Sequence, residues 1–126
     1  MTEVHRAFIT LIEDGKKRLF NLHNEMFIGH SSDDNSKISV ESDGFSQTLG
    51  CFHFQDDMWI YENLSEECEC LVGKHKLDPY KAVILSKHPE IQIISRNRKE
   101  NLKIVFSMCN ATPPSFYADD RLLVRI

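Results

Sequence analysis

Short β-rich runs separated by turn residues constrain the fold of this 126-residue chain more than any other feature. Apolar residues alternate along these runs as they do in strands, and helical periodicity is nearly absent. Most of the connecting segments carry Gly, Pro, Asn or Asp, the residues typical of turns. The runs are residues 8–12, 18–22, 25–29, 38–40, 51–54, 58–61, 70–72, 82–85, 91–94 and 102–106. About ten strands at this spacing predict an all-β sandwich.

The length fits a single domain spanning residues 1–126. We place its core at about residues 6–108 and treat residues 109–126 as a C-terminal extension. The segment 111–114 breaks the strand pattern, as a linker would, and residues 122–126 could form a late strand. Apolar side chains of the extension that are exposed would form a protein-interaction surface, so they are a candidate interface. The same side chains are equally expected to pack on the sandwich. These candidate interface residues are Phe116, Tyr117, Leu122 and Leu123.

The charge balance and the lack of long apolar runs exclude several classes of partner. A formal net charge of −4 argues against direct nucleic-acid binding. The one basic cluster, residues 96–99, falls between two strand runs and is interpreted as a solvated turn rather than a phosphate clamp. No apolar run approaches the roughly 18 residues needed to span a bilayer. The start of the chain lacks the layout of a secretion signal, which favours the nucleus or cytoplasm.

Motifs for catalysis and for metal binding are missing from the sequence. There is no P-loop, no Gly-x-Ser-x-Gly elbow and no His-Glu-x-x-His, so the chain is not expected to be an enzyme or to need a cofactor. The four cysteines, without a secretion signal, are expected to be reduced thiols. Cys68-x-Cys70 is a weak metal signal because zinc sites usually space paired cysteines by two to four residues. We therefore predict no metal site.

Three motifs occur in an order that resembles a forkhead-associated (FHA) domain over about residues 6–108. They are Gly29-His30, the segment Ser46-Gln47-Thr48-Leu49, and a strand from Trp59 that runs into Asn63-Leu64-Ser65. The resemblance implies a β-sandwich of about eleven mostly antiparallel strands. It also implies a phosphothreonine-peptide site on the loops at one end.

Most residues expected to form that site differ from the family pattern. The arginine that follows the glycine is His30, which lacks a guanidinium fork for phosphate. Ser46 is kept, but Gln47 replaces a basic residue and Leu49 replaces the bracing histidine. Cys68 stands where an asparagine would read the peptide backbone. These five residues form a degenerate phosphopeptide site, in which Ser46 is either a phosphate ligand or an ordinary loop hydroxyl and His30 is chiefly a loop brace.

The loops of the expected site are rich in acidic residues, which oppose a ligand of roughly −1.5 to −2 charge. The acidic residues are Asp33, Asp34, Glu41, Asp43, Glu62, Glu66, Glu67 and Glu69. The only nearby positive groups expected from the sequence are Lys37, Lys74 and a protonated His30. We therefore expect no useful binding of phosphothreonine peptides.

The leading functional hypothesis is a protein-interaction module that forms a homodimer. The sequence is similar to the N-terminal FHA domains of DNA-damage checkpoint mediator proteins, an insect chromosome mutator among them. That resemblance implies a nuclear scaffold acting at damaged DNA or telomeres. Two alternatives stay open: a phosphothreonine reader that relies on Ser46 and backbone amides, and the cytosolic FHA-like part of a bacterial secretion apparatus.

Overall fold

Two β-sheets make up the fold in the computed structural model, which describes residues 4–30 and 38–111. Eleven strands are present in this part of the chain. They are β1 (Val4–Glu13), β2 (Lys16–Asn21), β3 (Met26–Gly29), β4 (Ile38–Ser39), β5 (Gly50–Gln55), β6 (Met58–Asn63), β7 (Glu69–Val72), β8 (His75–Lys76), β9 (Ala82–Ile84), β10 (Glu90–Ile94) and β11 (Asn101–Ala111). The prediction of an all-β sandwich of about eleven strands is confirmed.

The sheets have six and five strands, and nearly all neighbouring strands are antiparallel. The six-stranded sheet has the order β2-β1-β11-β10-β7-β8, and the five-stranded sheet has the order β4-β3-β5-β6-β9. The β3–β4 pair is the one parallel pair between the described strands. Within the described ranges there is no helix of the length and apolarity needed to cross a membrane.

Each of the ten runs identified in the sequence overlaps one of the strands. The strand that the sequence missed is β8, which has two exposed residues and therefore no apolar alternation to detect. The proposed late strand, residues 122–126, lies outside the described residues. The candidate interface residues Phe116, Tyr117, Leu122 and Leu123 also lie outside them.

Alternation along the strands sends one side of each sheet into a shared core. Ile9 and Leu11 of β1 are fully buried, as are Phe52 of β5 and Tyr61 of β6. The rings of Phe52 and Tyr61 are cross-strand partners with centroids 5.0 Å apart and planes inclined by 57°. Pairs of this kind add to the stabilisation from buried area.

Strand register brings several connecting segments to one end of the sandwich. Glu13 pairs with Leu102, and Ile94 pairs with Glu69, so the β1–β2 turn, the β6–β7 loop and the β10–β11 turn lie together. We call this end, with His30 and residues 40–49, the loop end. Lys74 lies in the β7–β8 turn, at the opposite end of β7. The expectation that Lys74 contributes positive charge to the site was therefore wrong.

Candidate functional site

Gly29 and His30 fix the end of β3 against two segments of the loop end. The His30 amide donates to the Ser46 carbonyl at 2.9 Å, and the Val40 amide donates to the Gly29 carbonyl at 2.9 Å. A Cβ at position 29 would lie 1.9 Å from the carbonyl oxygen of Gln47, so only glycine allows this close approach. Nδ1 of His30 lies 3.0 Å from the Val40 carbonyl oxygen and must donate to it, since a carbonyl only accepts. The His30 ring therefore braces the loop end.

The hydroxyl of Ser46 lies in a chain of hydrogen bonds that ends on a carboxylate. Ser65 Oγ accepts the amides of Cys68 at 3.0 Å and of Glu67 at 3.3 Å. Ser46 Oγ is 3.0 Å from Ser65 Oγ and 3.4 Å from Glu67 Oε1. Each hydroxyl has one proton, so Ser65 donates to Ser46 and Ser46 donates to Glu67. The hydroxyl of Ser46, which the resemblance to FHA domains suggests as a phosphate ligand, is thus already engaged in hydrogen bonds within the chain.

Leu49 and Cys68 contribute their side chains to the core and not to a binding surface. Leu49 is fully buried, and its amide donates to the Ile28 carbonyl at 2.7 Å. Cys68 is also buried, with its sulfur 3.9 Å from the Gly44 carbonyl oxygen. Among the five predicted site residues, His30, Ser46 and the exposed Gln47 are the ones that the structure places at the surface of the loop end.

Asn63, at the end of β6, fixes the β6–β7 loop through side-chain hydrogen bonds. Its side chain is buried, and Nδ2 donates to the Leu77 carbonyl at 2.9 Å while Oδ1 accepts the Ser65 amide at 3.1 Å. The Asn63 carbonyl accepts the Tyr80 amide at 2.6 Å. These bonds fix the position of Ser65, and through it the positions of Ser46 and Glu67.

Two arginines of the β10–β11 turn pair with glutamates of the β6–β7 loop and of the start of β7, which places near the site positive charge that the sequence did not predict. Arg96 Nη1 lies 3.4 Å from Glu67 Oε1, and Arg98 Nη1 lies 3.1 Å from Glu69 Oε1. Arg96 Nη2 also donates to the Asp43 carbonyl. Residues 96–99 do form an exposed turn, as predicted, but its guanidinium groups form ion pairs across the loop end. Because only the strand order of the six-stranded sheet brings these segments together, the ion pairs between them could not be predicted from the linear sequence.

A groove of about 290 Å³ runs between the β6–β7 loop and the β10–β11 turn. Its charged lining is balanced between carboxylates and cations. These groups are Glu66, Glu67, Glu69, Lys76, Arg96 and Arg98. Because each sign is present three times, the groove as a whole does not attract an anion strongly.

A second concave region, around His30, is strongly acidic. Carboxylates of five residues line it, with Ser42 and no lysine or arginine among its described residues. The five are Glu13, Asp14, Glu41, Asp43 and Glu100. An anion that approached this region would encounter like charges.

Glu13, which was not among the predicted site residues, is the buried anchor of this acidic region. Its carboxylate accepts the Glu41 amide at 3.0 Å, the Ser42 amide at 2.9 Å and the Arg18 guanidinium at 3.3 Å. Ile9, Leu11 and Glu13 share the inward face of β1. The alternation of Ile9, Leu11 and Glu13 along β1 could have identified Glu13 from the sequence. A carboxylate at an inward position must find hydrogen-bond donors.

Cys51, Cys68 and Cys70 are buried free thiols. Burial raises the pKa of Cys70 to about 12. Burial, assisted by the charges of Glu62 and Glu25, raises the pKa of Cys51 to about 11. These groups stay neutral at physiological pH and are poor nucleophiles. Within residues 4–30 and 38–111, no three His, Cys, Asp or Glu side chains converge to hold a metal ion.

Comparison with known proteins relates the chain to others through its fold. No protein-family model and no curated protein match the sequence. Among solved structures, the yeast Dun1 FHA domain in complex with a doubly phosphorylated Rad53 peptide matches with a TM-score of 0.61 at 14% identity, covering 89% of this chain and 80% of that one. An Arabidopsis thaliana FHA domain matches with a TM-score of 0.60 at 15% identity, covering 83% and 88%. The FhaA FHA domain, complexed with the intracellular domain of Rv3910, matches with a TM-score of 0.57 at 16% identity, covering 79% and 99%. The two sheets of this chain therefore have the FHA-type fold.

Proposed function

We propose that this chain is the protein-interaction module of a nuclear scaffold in the DNA-damage response, and that it self-associates as a homodimer. In this role it does not depend on phosphothreonine, for which its affinity is very low. The FHA-type fold supports an interaction module, because neighbours with this fold were solved in complex with a phosphorylated peptide and with another protein's intracellular domain. The nuclear role rests on the resemblance of the motif order to checkpoint mediators.

The surroundings of His30 carry the proposal that phosphothreonine binding is lost. The ring donates from Nδ1 to Val40, cannot form a bidentate bond to phosphate, and lines the same concave region as five acidic residues. A charge-assisted hydrogen bond contributes roughly 1.5–3 kcal/mol, so losing a bidentate arginine contact costs about 3 kcal/mol or more. Each 1.4 kcal/mol is about tenfold in affinity, so this loss alone weakens a micromolar reader by at least about a hundredfold, and repulsion by the nearby carboxylates weakens it further.

The outward side of the five-stranded sheet is the described surface best suited to self-association. Strand register aligns Phe27 with Cys51, Glu62 and Ala82 in one row, and His53 with Ile60 and Ile84 in the next. We call this surface, which also includes Met58, the outer apolar face. None of the outward-facing residues of β3, β5, β6 and β9 is Lys or Arg.

Exposed apolar area on this face favours a protein contact. Phe27 is 41% exposed, and Ile60 and Ile84 are partly exposed. A hydrogen bond from His53 Nε2 to Glu62 Oε1, 3.2 Å long, crosses the middle of the face. Exposed apolar side chains around a polar hydrogen-bonded pair are typical of interaction surfaces. A twofold dimer is the commonest closed assembly. The C-terminal residues Phe116, Tyr117, Leu122 and Leu123 remain a second proposed interface.

Titration with phosphothreonine peptides tests the first half of the proposal. A library of such peptides, each with its unphosphorylated counterpart, is titrated against the 126-residue chain by calorimetry or NMR. We expect phosphate-dependent affinity in the millimolar range or weaker, because the arginine fork is missing and the loop end is acidic. Micromolar affinity that disappears in Ser46→Ala would contradict the proposal and favour a reader with atypical contacts.

A further inference from the structure

We propose that the Glu67 carboxylate is a built-in occupant of an oxyanion site formed by the Ser46 hydroxyl and the Arg96 guanidinium. The inference rests on the proposed loss of phosphothreonine binding, and it gives that loss a second cause. The vacant site would take a phosphate group, with its arginine supplied by the β10–β11 turn and not by the residue after Gly29.

Two donors from different segments converge on one carboxylate oxygen. Ser46 Oγ and Arg96 Nη1 each lie 3.4 Å from Glu67 Oε1. The Ser46 hydroxyl is polarised by the chain through Ser65, whose oxygen accepts two amides. A polarised hydroxyl and a guanidinium directed at one point are the groups that bind phosphate oxygens in proteins.

Both donors are held by contacts that do not involve Glu67. The Arg96 amide donates to the Gly44 carbonyl at 3.0 Å, and Arg96 Nη2 donates to the Asp43 carbonyl. The Ser46 hydroxyl lies 3.0 Å from Ser65 Oγ, and the Ser46 carbonyl accepts the His30 amide. Removing Glu67 therefore leaves the donors in place, and a preorganised site loses little affinity to ordering.

The hold of Glu67 on this site is weak enough to be replaced by a stronger anion. Its side chain is 64% exposed, and both contacts, at 3.4 Å, are longer than usual hydrogen bonds. A phosphate monoester brings three acceptor oxygens and more charge than a carboxylate. With Glu67 present, however, the incoming phosphate must displace this group and is repelled by it until it leaves.

Substitution of two neighbouring glutamates separates this occupancy from a general change of charge. Glu67→Ala empties the proposed site. Glu66→Ala is the matched control, since it removes the same charge from the same loop but Glu66 bonds to Tyr80 Oη at 3.0 Å instead. A Glu67→Ala/Arg96→Ala double variant removes the proposed anion donor as well. Each protein is titrated with inorganic phosphate and with a phosphothreonine peptide at constant ionic strength, after its thermal unfolding has been compared with wild type.

We expect Glu67→Ala to bind phosphate at least about tenfold more tightly than wild type, because a charge-assisted contact becomes free. The gain should be missing from Glu66→Ala and lost in the double variant. A gain with both probes assigns the site to peptide-borne phosphate, and a gain with inorganic phosphate alone assigns it to the free ion. No gain, an equal gain in Glu66→Ala, or a gain that survives Arg96→Ala would overturn the inference.

The proposed function can fail independently of this inference. Micromolar binding of a phosphothreonine peptide by the wild-type chain would contradict the proposed loss, whatever Glu67→Ala does. A monomeric wild-type chain would contradict self-association without changing the phosphate titrations. The comparison of the two glutamate variants still reports whether Glu67 occupies the site in either case.

Discussion

Gly50 leaves the space that the ring of Tyr61 fills. A Cβ at position 50 would lie 2.2 Å from Tyr61 Oη, 2.3 Å from Cζ and 2.6 Å from Cε1. Tyr61 is fully buried, and its hydroxyl is the one buried side-chain oxygen or nitrogen in the described residues without a hydrogen-bond partner. Burial, with further contributions from three nearby cysteines, raises its pKa well above the ordinary value.

Removing the Tyr61 hydroxyl is expected to stabilise the fold. Phenylalanine keeps the ring contact with Phe52 and eliminates a buried polar group that has no partner, so Tyr61→Phe should raise the free energy of unfolding by about 1 kcal/mol. Urea unfolding measures the change, with Tyr80→Phe as the exposed control. A loss of stability in Tyr61→Phe would show that the hydroxyl does make a favourable bond.

A methyl group at position 50 is expected to destabilise the sandwich strongly. Gly50→Ala forces the Tyr61 ring out of place, and overpacking of this kind should cost about 3 kcal/mol or more. Tyr61→Phe should not rescue it, because the ring carbons Cζ and Cε1 also collide with the new Cβ. Chemical unfolding of the single and double variants measures this, and full rescue would contradict the placement of the ring.

Glu13 is expected to matter more for stability than an exposed glutamate does. Glu13→Gln keeps the shape but weakens the acceptor for the amides of Glu41 and Ser42, so it should cost about 2 kcal/mol. The matched control is Glu90→Gln, whose exposed partner Lys103 lies 3.6 Å away and contributes less than about 1 kcal/mol. Equal losses in the two variants would contradict the anchoring role of Glu13.

Alkaline pH is expected to destabilise the fold through its buried thiols. The pKa of Cys70 is about 12 when folded, against an ordinary 9.0, so the folded state holds the proton more tightly. Its stabilising contribution is complete below pH 9 and is lost as pH rises through 12. At pH 10 the contribution of one such group to the free energy of unfolding is lower by about 1.4 kcal/mol. Unfolding at pH 8 and pH 10 should show a smaller drop for Cys70→Ala than for wild type, and an equal drop would contradict this cause.

A charge on the outer apolar face is expected to break self-association. Phe27→Glu introduces a carboxylate into a face that already contains Glu62, so the dimer should dissociate at least about a hundredfold more readily. Leu19→Glu is the control, because Leu19 is 52% exposed but belongs to the six-stranded sheet. Analytical ultracentrifugation compares the two, and equal effects would exclude the outer apolar face as the interface.

Local patterns were sufficient to predict the strands but not the contacts between loops. Each strand with alternating apolar residues was identified, because burial of one face leaves a period of two in the sequence. The two-residue β8 leaves no such period. Arg96 and Glu67 are 29 positions apart, so their contact depends on the order β10-β7 in the sheet, which the sequence alone does not state.

The sequence indicated which segments of the candidate site lie together, but it did not indicate their hydrogen bonds and ion pairs. Gly29, Ser46 and the β6–β7 loop do meet at the loop end, as the motif order indicated. The hydrogen-bond partners of these residues were not predictable. His30 bonds to a backbone carbonyl, and Ser46 bonds to a loop that is distant in sequence. Lys74 was misplaced for the same reason, since the direction of β7 decides at which end its turn lies.

Sedimentation equilibrium of the unphosphorylated chain over a wide concentration range tests the central proposal most directly. A homodimer predicts a mass of about 29 kDa, twice the 14.6 kDa of one chain, without any phosphorylated ligand. Deletion of residues 115–126 in a parallel sample separates the C-terminal residues from the outer apolar face. A mass of 14.6 kDa at every concentration would contradict the proposed self-association.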